Sequence, residues 1–404
     1  MFNQKKKQIW SYKYLALFLL CGLFLLYAGV HVRAEGPPSV SAQSAALLVA
    51  DTGEFLFEKN AYQQRGMAST TKIMTSLLAI EEGTPNRVIT ATDAMVRVEG
   101  TSIGLRAGDR ITLRNLVYGM LLESGNDAAN ATAIAIAGSV DQFAQRMNLR
   151  AREIGMTNTH FVTPSGLDHE EHYSCAHDMA LLGAEAIRNP EFASICATKS
   201  IRVAYGNPEY LRTLSNHNRL LSAYDGCIGV KTGFTKKSGR CLVSAAERDG
   251  ITLVAVTLNA PNDWADHKKL FDYGFSIIEN IKLDDSFSDL QLPVVGGVSS
   301  QVPVECAITP DYPASSQPTG IRREILLEPF VYAPVEQGQL VGEARYYQGD
   351  RLIASVPLET ARAVENVNVP VRQEQNKETK QVGFWAKIKE WVLTHIMRRE
   401  KQND

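Results

Sequence analysis

Three short segments of this chain hold the residue types for serine acyl transfer without a histidine: Ser69-Thr-Thr-Lys72, Ser124-Gly-Asn126 and Lys231-Thr-Gly233. Ser69 and Lys72 stand three apart, so a helix places them on one face, a turn apart. A serine hydroxyl is a poor nucleophile until a neighbouring base takes its proton. Lysine acts as that base only when desolvation or nearby positive charge pulls its pKa down. Lys231 can supply the charge, and the apolar helix around Ile73, Met74, Leu77 and Leu78 the desolvation. A helix N-terminus at Ser69 adds free backbone N–H groups and a positive dipole end, both suited to a developing oxyanion.

Ser124 and Asn126 fall in a turn between two helical stretches, where a hydroxyl can relay a proton to a leaving amine and an amide can hold a substrate carbonyl. Read alone, Ser124 is better explained as a cap on the helix from Asp127. Lys231-Thr232-Gly233 ends a strand. There Gly233 lets a substrate backbone approach, the Phe234 N–H can be a second oxyanion donor, and Lys231 and Thr232 suit a carboxylate. Each motif alone is common in unrelated chains, and only their joint occurrence points to one site. His169-Glu-Glu-His172 spaces its histidines three apart, unlike the four of a helical zinc pair, and follows a Pro164-Ser-Gly166 turn, so no metal is expected. No phosphate-binding glycine loop occurs and no cofactor is implied. A formal net charge of −2, without a basic patch interleaved with aromatics, gives no reason to expect nucleic acid as a partner.

The elements that must position these groups are readable in outline. Ala45 to Ala50 and Glu54 to Phe57 flank Asp51-Thr-Gly53 as a hairpin. Helical spacing runs from Ser69 to about Gly83, from Leu113 to Leu122, and from Asp127 to Ala137. Around Lys231 the pattern turns to strands at 227–233, 239–247 and 251–258, the last two joined by Asp249-Gly250. Beyond the polar stretch 284–289, short alternating strands separated by Gly, Pro and Ser read as a small all-β domain over 290–371.

The termini speak to compartment. Lys5, Lys6, Lys7 and Lys13 precede an apolar run from Leu15 to Val30 and then Val32-Arg-Ala34, the layout of a signal peptide over 1–34. The other reading is an uncleaved anchor, since the run is near the lower limit for spanning a bilayer. Cys175, Cys196, Cys227, Cys241 and Cys306 remain, an odd number without regular spacing and so no disulfide framework. Residues 372–381 form a polar linker. From Phe384 to Arg399, Trp385, Ile388, Trp391 and Ile396 lie along one side and Lys387, Lys389, Arg398 and Arg399 elsewhere, as in a helix lying on a membrane surface. The alternative is a helix docked on the protein's own body. The expected location is exported, at the outer face of the cytoplasmic membrane on the cell-wall side.

The chain resembles serine-type D-alanyl-D-alanine carboxypeptidases, the low-molecular-mass penicillin-binding proteins, over nearly its whole length. Beyond the three motifs, Phe161-Val-Thr-Pro-Ser-Gly-Leu-Asp168, His172-Tyr-Ser-Cys-Ala-His-Asp178, Asn216-His-Asn-Arg-Leu-Leu221 and Tyr273-Gly-Phe275 carry the likeness. The resemblance implies an α+β, β-lactamase/transpeptidase-like catalytic domain over 35–282, with a β-rich domain and an amphipathic anchor after it. It implies a Ser69 acyl-enzyme, Lys72 as proton acceptor, Ser124 with Asn126 as second catalytic element, and Lys231, Thr232, Gly233 and Phe234 at the substrate. That substrate is the D-Ala-D-Ala end of peptidoglycan stem peptides, with β-lactam antibiotics as inhibitors. In some family members an arginine after the third strand helps hold the terminal carboxylate. Asn262-Asp-Trp-Ala-Asp266 has none, which leaves Arg240 or the Thr232 and Thr235 hydroxyls open for that task. Two other readings compete: a β-lactamase, against which the missing E-x-x-L-N pattern speaks, and a non-catalytic wall protein that binds β-lactams.

Overall fold

The computed structural model describes residues 36–367, apart from 285, 317 and 318. Only 36–38 of the N-terminal unit fall within it, and everything below concerns Ser39 onward. The expected signal peptide, linker and amphipathic helix lie outside the described residues.

A five-stranded sheet is the frame. Its strands are β1 (Ser44–Val49), β2 (Phe55–Lys59), β3 (Cys227–Thr235), β4 (Gly239–Arg248) and β5 (Ile251–Leu258), in the order β2-β1-β5-β4-β3, every neighbour antiparallel. β1 and β5 are apolar runs without alternation because both faces are covered. Ala46, Leu48, Val254 and Val256 enter the larger core, while Leu47, Val49, Leu253 and Ala255 enter a second one. The period-two geometry of a strand sends successive side chains to opposite faces.

On the first face lie α1 (Lys72–Glu81) and α4 (Ala176–Arg188), while α2 (Leu113–Leu121) and α3 (Asn126–Ala137) pack on α1 within the same core. Against the second packs α5 (Asp263–Ile277), through Leu270 and Phe271. Ala128, Ala129, Ala131 and Ala133 of α3 are all fully buried, and their small size lets neighbouring helices approach closely. The helices and strands read from the sequence between 45 and 258 all form, within three residues of the expected ends. Unread in the sequence were a four-stranded sheet built from 88–90, 110–112, 200–206 and 209–215, and, among the helices, α4, α5, Val140–Ile154 and Pro190–Ala197.

The β-rich region holds a six-stranded sheet and its own core of Leu292, Val302, Val304, Val341, Ala344 and Leu358. Ile281, Leu283 and Phe287 also belong to that core, and Glu279–Lys282 pairs antiparallel with Asp311–Ala314. The β-rich packing therefore begins ahead of the boundary expected after 282, inside a stretch too polar around Asp284 to look like part of a core. Ser315 bonds Glu54, and Arg351 donates to the Asp51 carbonyl at 3.2 Å, tying this region to the β1–β2 hairpin.

Candidate active site

Ser69 sits in a 3-10 turn, Ala68–Thr71, that leads straight into α1 at Lys72. The α-helix therefore starts three residues later than the sequence suggested, yet Ser69 and Lys72 stay on one side. The Lys72 Nζ donates to Ser69 Oγ at 3.0 Å, to Asn126 Oδ1 at 2.7 Å and to the Ser165 carbonyl at 2.6 Å. Lys72 is fully buried. Burial, with the positive charge of Lys231 adding to it and Asp127 opposing, pulls its ammonium pKa well below the ordinary lysine value. Both agents named from the sequence, desolvation and Lys231, are at work.

The second motif gains its geometry from strain. Ser124 has φ +64°, the left-handed region that a residue with a side chain adopts at a cost. That turn places Ser124 in the lining of the cleft. Capping does not account for Ser124, because α3 begins after Gly125 and has no side-chain cap. Asn126 is 5% exposed, and both ends of its amide are engaged: Oδ1 accepts from Lys72, and Nδ2 donates to the Glu99 carbonyl at 2.6 Å. It forms part of the lysine's polar cage.

Two groups in this cage were not singled out from the sequence. Asp127, fully buried, accepts from the backbone of Ile103 (3.0 Å), Leu105 (2.9 Å) and Ala128 (2.9 Å) and from the Ser102 hydroxyl (2.6 Å). It fixes the 101–105 loop, and Thr101 in turn accepts from the Asn126 N–H at 2.7 Å and lines the cleft. Ser165 contributes only a carbonyl, so side-chain type gave no signal. An acidic residue directly after a S-x-N motif was the available signal for Asp127.

β3 is the edge strand of the sheet and runs beside the Ser69 turn. A Cβ added at Gly233 would lie 3.0 Å from the Ser69 nitrogen and 3.1 Å from that of Thr70, so glycine permits the approach. An edge strand leaves alternate backbone groups unpaired on its outer side, ready to pair with an extended ligand. Lys231 is buried, and burial lowers its pKa to about 7; its Nζ donates to the Thr232 carbonyl at 2.8 Å. Ser69, Ser124, Thr232, Gly233, Phe234 and Arg240 line one cavity of about 620 Å³, closed at its far wall by Asp263 and Trp264. All three motifs thus meet at one cleft.

Arg240 pairs with Asp263 at 2.9 Å and lies over the Trp264 ring. Thr235 is already engaged, donating to Asp168 at 2.9 Å and accepting from the Ser238 N–H at 2.9 Å. Of the candidates for a carboxylate, Arg240 brings a charge into the cavity and Thr235 does not face it. His169 to His172 forms a turn rather than a helix, and His172 is buried behind the Ser69 turn.

Comparison with known proteins identifies the family. A family described as D-alanyl-D-alanine carboxypeptidase matches residues 31–262, and one described as the penicillin-binding protein 5 C-terminal domain matches 287–366. The chain is 30% identical over 338 residues to the D-alanyl-D-alanine carboxypeptidase DacF of Bacillus subtilis, covering 78% of this chain and 84% of that protein. It is 36% identical to DacB2 of Mycobacterium tuberculosis over 59% of this chain and 84% of that one. Among solved structures, the carboxypeptidase DacD of Francisella tularensis matches with a TM-score of 0.60 at 28% identity, over 84% of this chain and 97% of its own. The Streptomyces K15 DD-transpeptidase matches with a TM-score of 0.58 at 31% identity, over 60% of this chain and all of its own.

Proposed function

From the premise that this chain belongs to the D-alanyl-D-alanine carboxypeptidase family and is a serine hydrolase of the low-molecular-mass penicillin-binding type, we propose how its residues divide the work. The enzyme removes the terminal D-alanine from peptidoglycan peptides, and β-lactams bind at the same site. Ser69 Oγ attacks the carbonyl carbon of the penultimate D-alanine while Lys72, as a neutral amine, takes the hydroxyl proton. The backbone N–H groups of Ser69 and Phe234 receive the oxyanion. Ser124 relays the proton taken by Lys72 to the leaving amine, D-alanine departs, and water then hydrolyses the ester on Ser69, restoring its hydroxyl. Lys231 supplies positive charge while protonated, Thr232 and Gly233 align the substrate backbone along β3, and Arg240 turns from Asp263 to the terminal carboxylate.

The observation that carries this reading is the burial of Lys72 within 3.0 Å of Ser69 Oγ, with its pKa lowered by that burial and by Lys231. A lysine so placed gives up its proton more readily than a surface lysine, which is what a general base needs. Incubation with a pentapeptide ending in D-Ala-D-Ala, following D-alanine release, is the test. Release together with a mass increase on Ser69 under penicillin supports the reading, and labelling of another residue sinks it.

The location belongs to the same proposal. Export through 1–34, and attachment of Phe384 to Arg399 to the outer membrane face, are supported by the pattern of those residues: tryptophans on one side and basic residues elsewhere. Each basic residue near an anionic surface contributes about 1 kcal/mol. Truncation after Val371 should then release active enzyme from membranes once signal cleavage is established, and a truncated chain that stays bound refutes the attachment.

A further inference from the structure

We propose that His172 is a positioning residue for this reaction: through Thr71 it holds the turn bearing Ser69 against the 162–166 loop, which in turn receives Lys72. The proposal rests on the reading of Ser69 and Lys72 as nucleophile and base.

The imidazole is 4% exposed and has its roles fixed by its surroundings. Its Nδ1 accepts from the backbone N–H of Val162 at 3.0 Å and of Thr163 at 3.3 Å. Two donors converging on one nitrogen leave it without a proton, so the ring proton sits on Nε2. Nε2 lies 2.8 Å from Thr71 Oγ1 and donates to it, while the single hydroxyl proton of Thr71 goes to the Ala68 carbonyl at 2.8 Å. The result is a directed chain of hydrogen bonds from the loop backbone, through His172 and Thr71, to Ala68. Ala68 immediately precedes Ser69 and is held at φ +48°, a conformation that needs support from its surroundings.

The same loop reaches the other side of the catalytic pair. Ser165 accepts from Lys72 at 2.6 Å and Pro164 from Thr75 at 2.7 Å. Gly166 presses on the turn so closely that a Cβ there would stand 1.9 Å from the Ala68 oxygen. One loop therefore sets both the base and the carbonyl next to the nucleophile, and His172 bonds both the loop and the turn. Burial lowers the pKa of His172 to about 4, with His160, His169 and Lys72 pushing the same way and Asp168 opposing, so the neutral ring that this chain requires is the form present near neutral pH. His172 does not line the cleft, so it acts through Thr71 and never on substrate.

Three variants of the full chain test this by D-alanine release: His172→Phe, Thr71→Val and His172→Gln. The first two break the chain while filling the space, and should lower kcat by about tenfold to a hundredfold with little change in KM, the scale of an ångström's misplacement. Glutamine can accept from the loop and donate to Thr71, so His172→Gln should keep kcat within about threefold of the parent. Folded Phe or Val variants with the parent's kcat overturn the proposal, and so does a Gln variant as slow as Phe. Where His172→Phe lacks a cooperative thermal transition, Thr71→Val decides. Penicillin labelling of the unaltered chain separates the two levels. A label away from Ser69 overturns the underlying reading as well, whereas a label on Ser69 with unaffected variants overturns His172 alone.

Discussion

The cleft and the β-rich region bury different chemistry. Around Ser69 the interior holds Lys72, Lys231, Asn126, Asp127 and His172, all under 6% exposed. In the β-rich region, Thr360 is the buried polar residue among the described positions, and the charged pairs Arg322–Glu324, Arg323–Asp284 and Arg345–Glu343 stand on the surface. Burying a charge is costly unless it is paired and hydrogen-bonded. In the cleft, Asp127 and Lys72 are hydrogen-bonded without an ion pair among the described residues, and the lowered pKa values of Lys72 and Lys231 express the cost of burial. Four donors converge on Asp127 and three acceptors surround Lys72. Apolar burial stabilises a fold, whereas a satisfied polar interior also fixes where protons can go. Changes in the cleft should therefore show in turnover, and changes in the β core in melting alone.

The largest effect on turnover is expected at the nucleophile. Ser69→Ala should cut D-alanine release on the order of 10⁴-fold or more and abolish covalent penicillin labelling, in line with loss of a nucleophile elsewhere. Surviving turnover would break the comparison at its root. Next come the two buried cations. Lys72→Arg keeps a charge that cannot leave, and acylation rates should fall about 10³-fold, within the range general-base catalysis supplies. Lys231→Arg keeps what that position contributes and should cost about tenfold; equal losses in the pair would mean that base and electrostatic partner have been wrongly separated.

The pH profile sharpens the same point. Because the Lys72 pKa is lowered, chiefly by burial, its neutral form prevails at lower pH than for a free lysine. Release should fall only as acid returns the proton, and Lys72→Arg should show no such recovery with rising pH. Asp127→Asn follows, since an amide oxygen cannot accept all four donors. It should lower stability by about 2–3 kcal/mol, the scale of hydrogen bonds to a charged group, and slow release as the 101–105 loop loosens. A variant that melts lower but turns over normally would make Asp127 purely structural.

The smallest effects on turnover belong to the β-rich region. Leu358→Ala, at a fully buried site, should cost about 2–5 kcal/mol, read by thermal melting, with kcat on a small peptide unchanged. Arg322→Ala removes an exposed pair and should move stability by no more than about 0.5 kcal/mol. A drop in kcat from either change would erase the distinction between the two regions.

Much of this was legible in the chain before any coordinates. The hairpin at Asp51-Thr-Gly53, the helices from Leu113 and Asp127 and the three strands around Lys231 carry strong period signals, and they form near the expected ends. α4 was missed although Cys175 caps it by accepting from Asp178, because cysteine is an unusual cap. The sheet from 88–90, 110–112, 200–206 and 209–215 was missed because its strands are short or carry charged residues, and only 200–206 and 209–215 pair locally while the other pairings span many residues. In the site, the motif residues stood out by type. The backbone carbonyl of Ser165 and the place of His172 gave no such signal, and Asp127 gave only its position directly after the S-x-N motif.

The sequence by itself determined the inventory: a hydroxyl, two lysines, an amide and a strand edge, in segments whose periodicity dictates helix, turn or strand. Those are local properties, set by residue type and spacing along the chain. Only the tertiary structure decided that Lys72 is fully buried, that Asn126 turns inward to it, and that a loop more than ninety positions away supplies its third acceptor. A pKa depends on the solvent excluded and the charges gathered around a group, and neither exists until distant segments pack together.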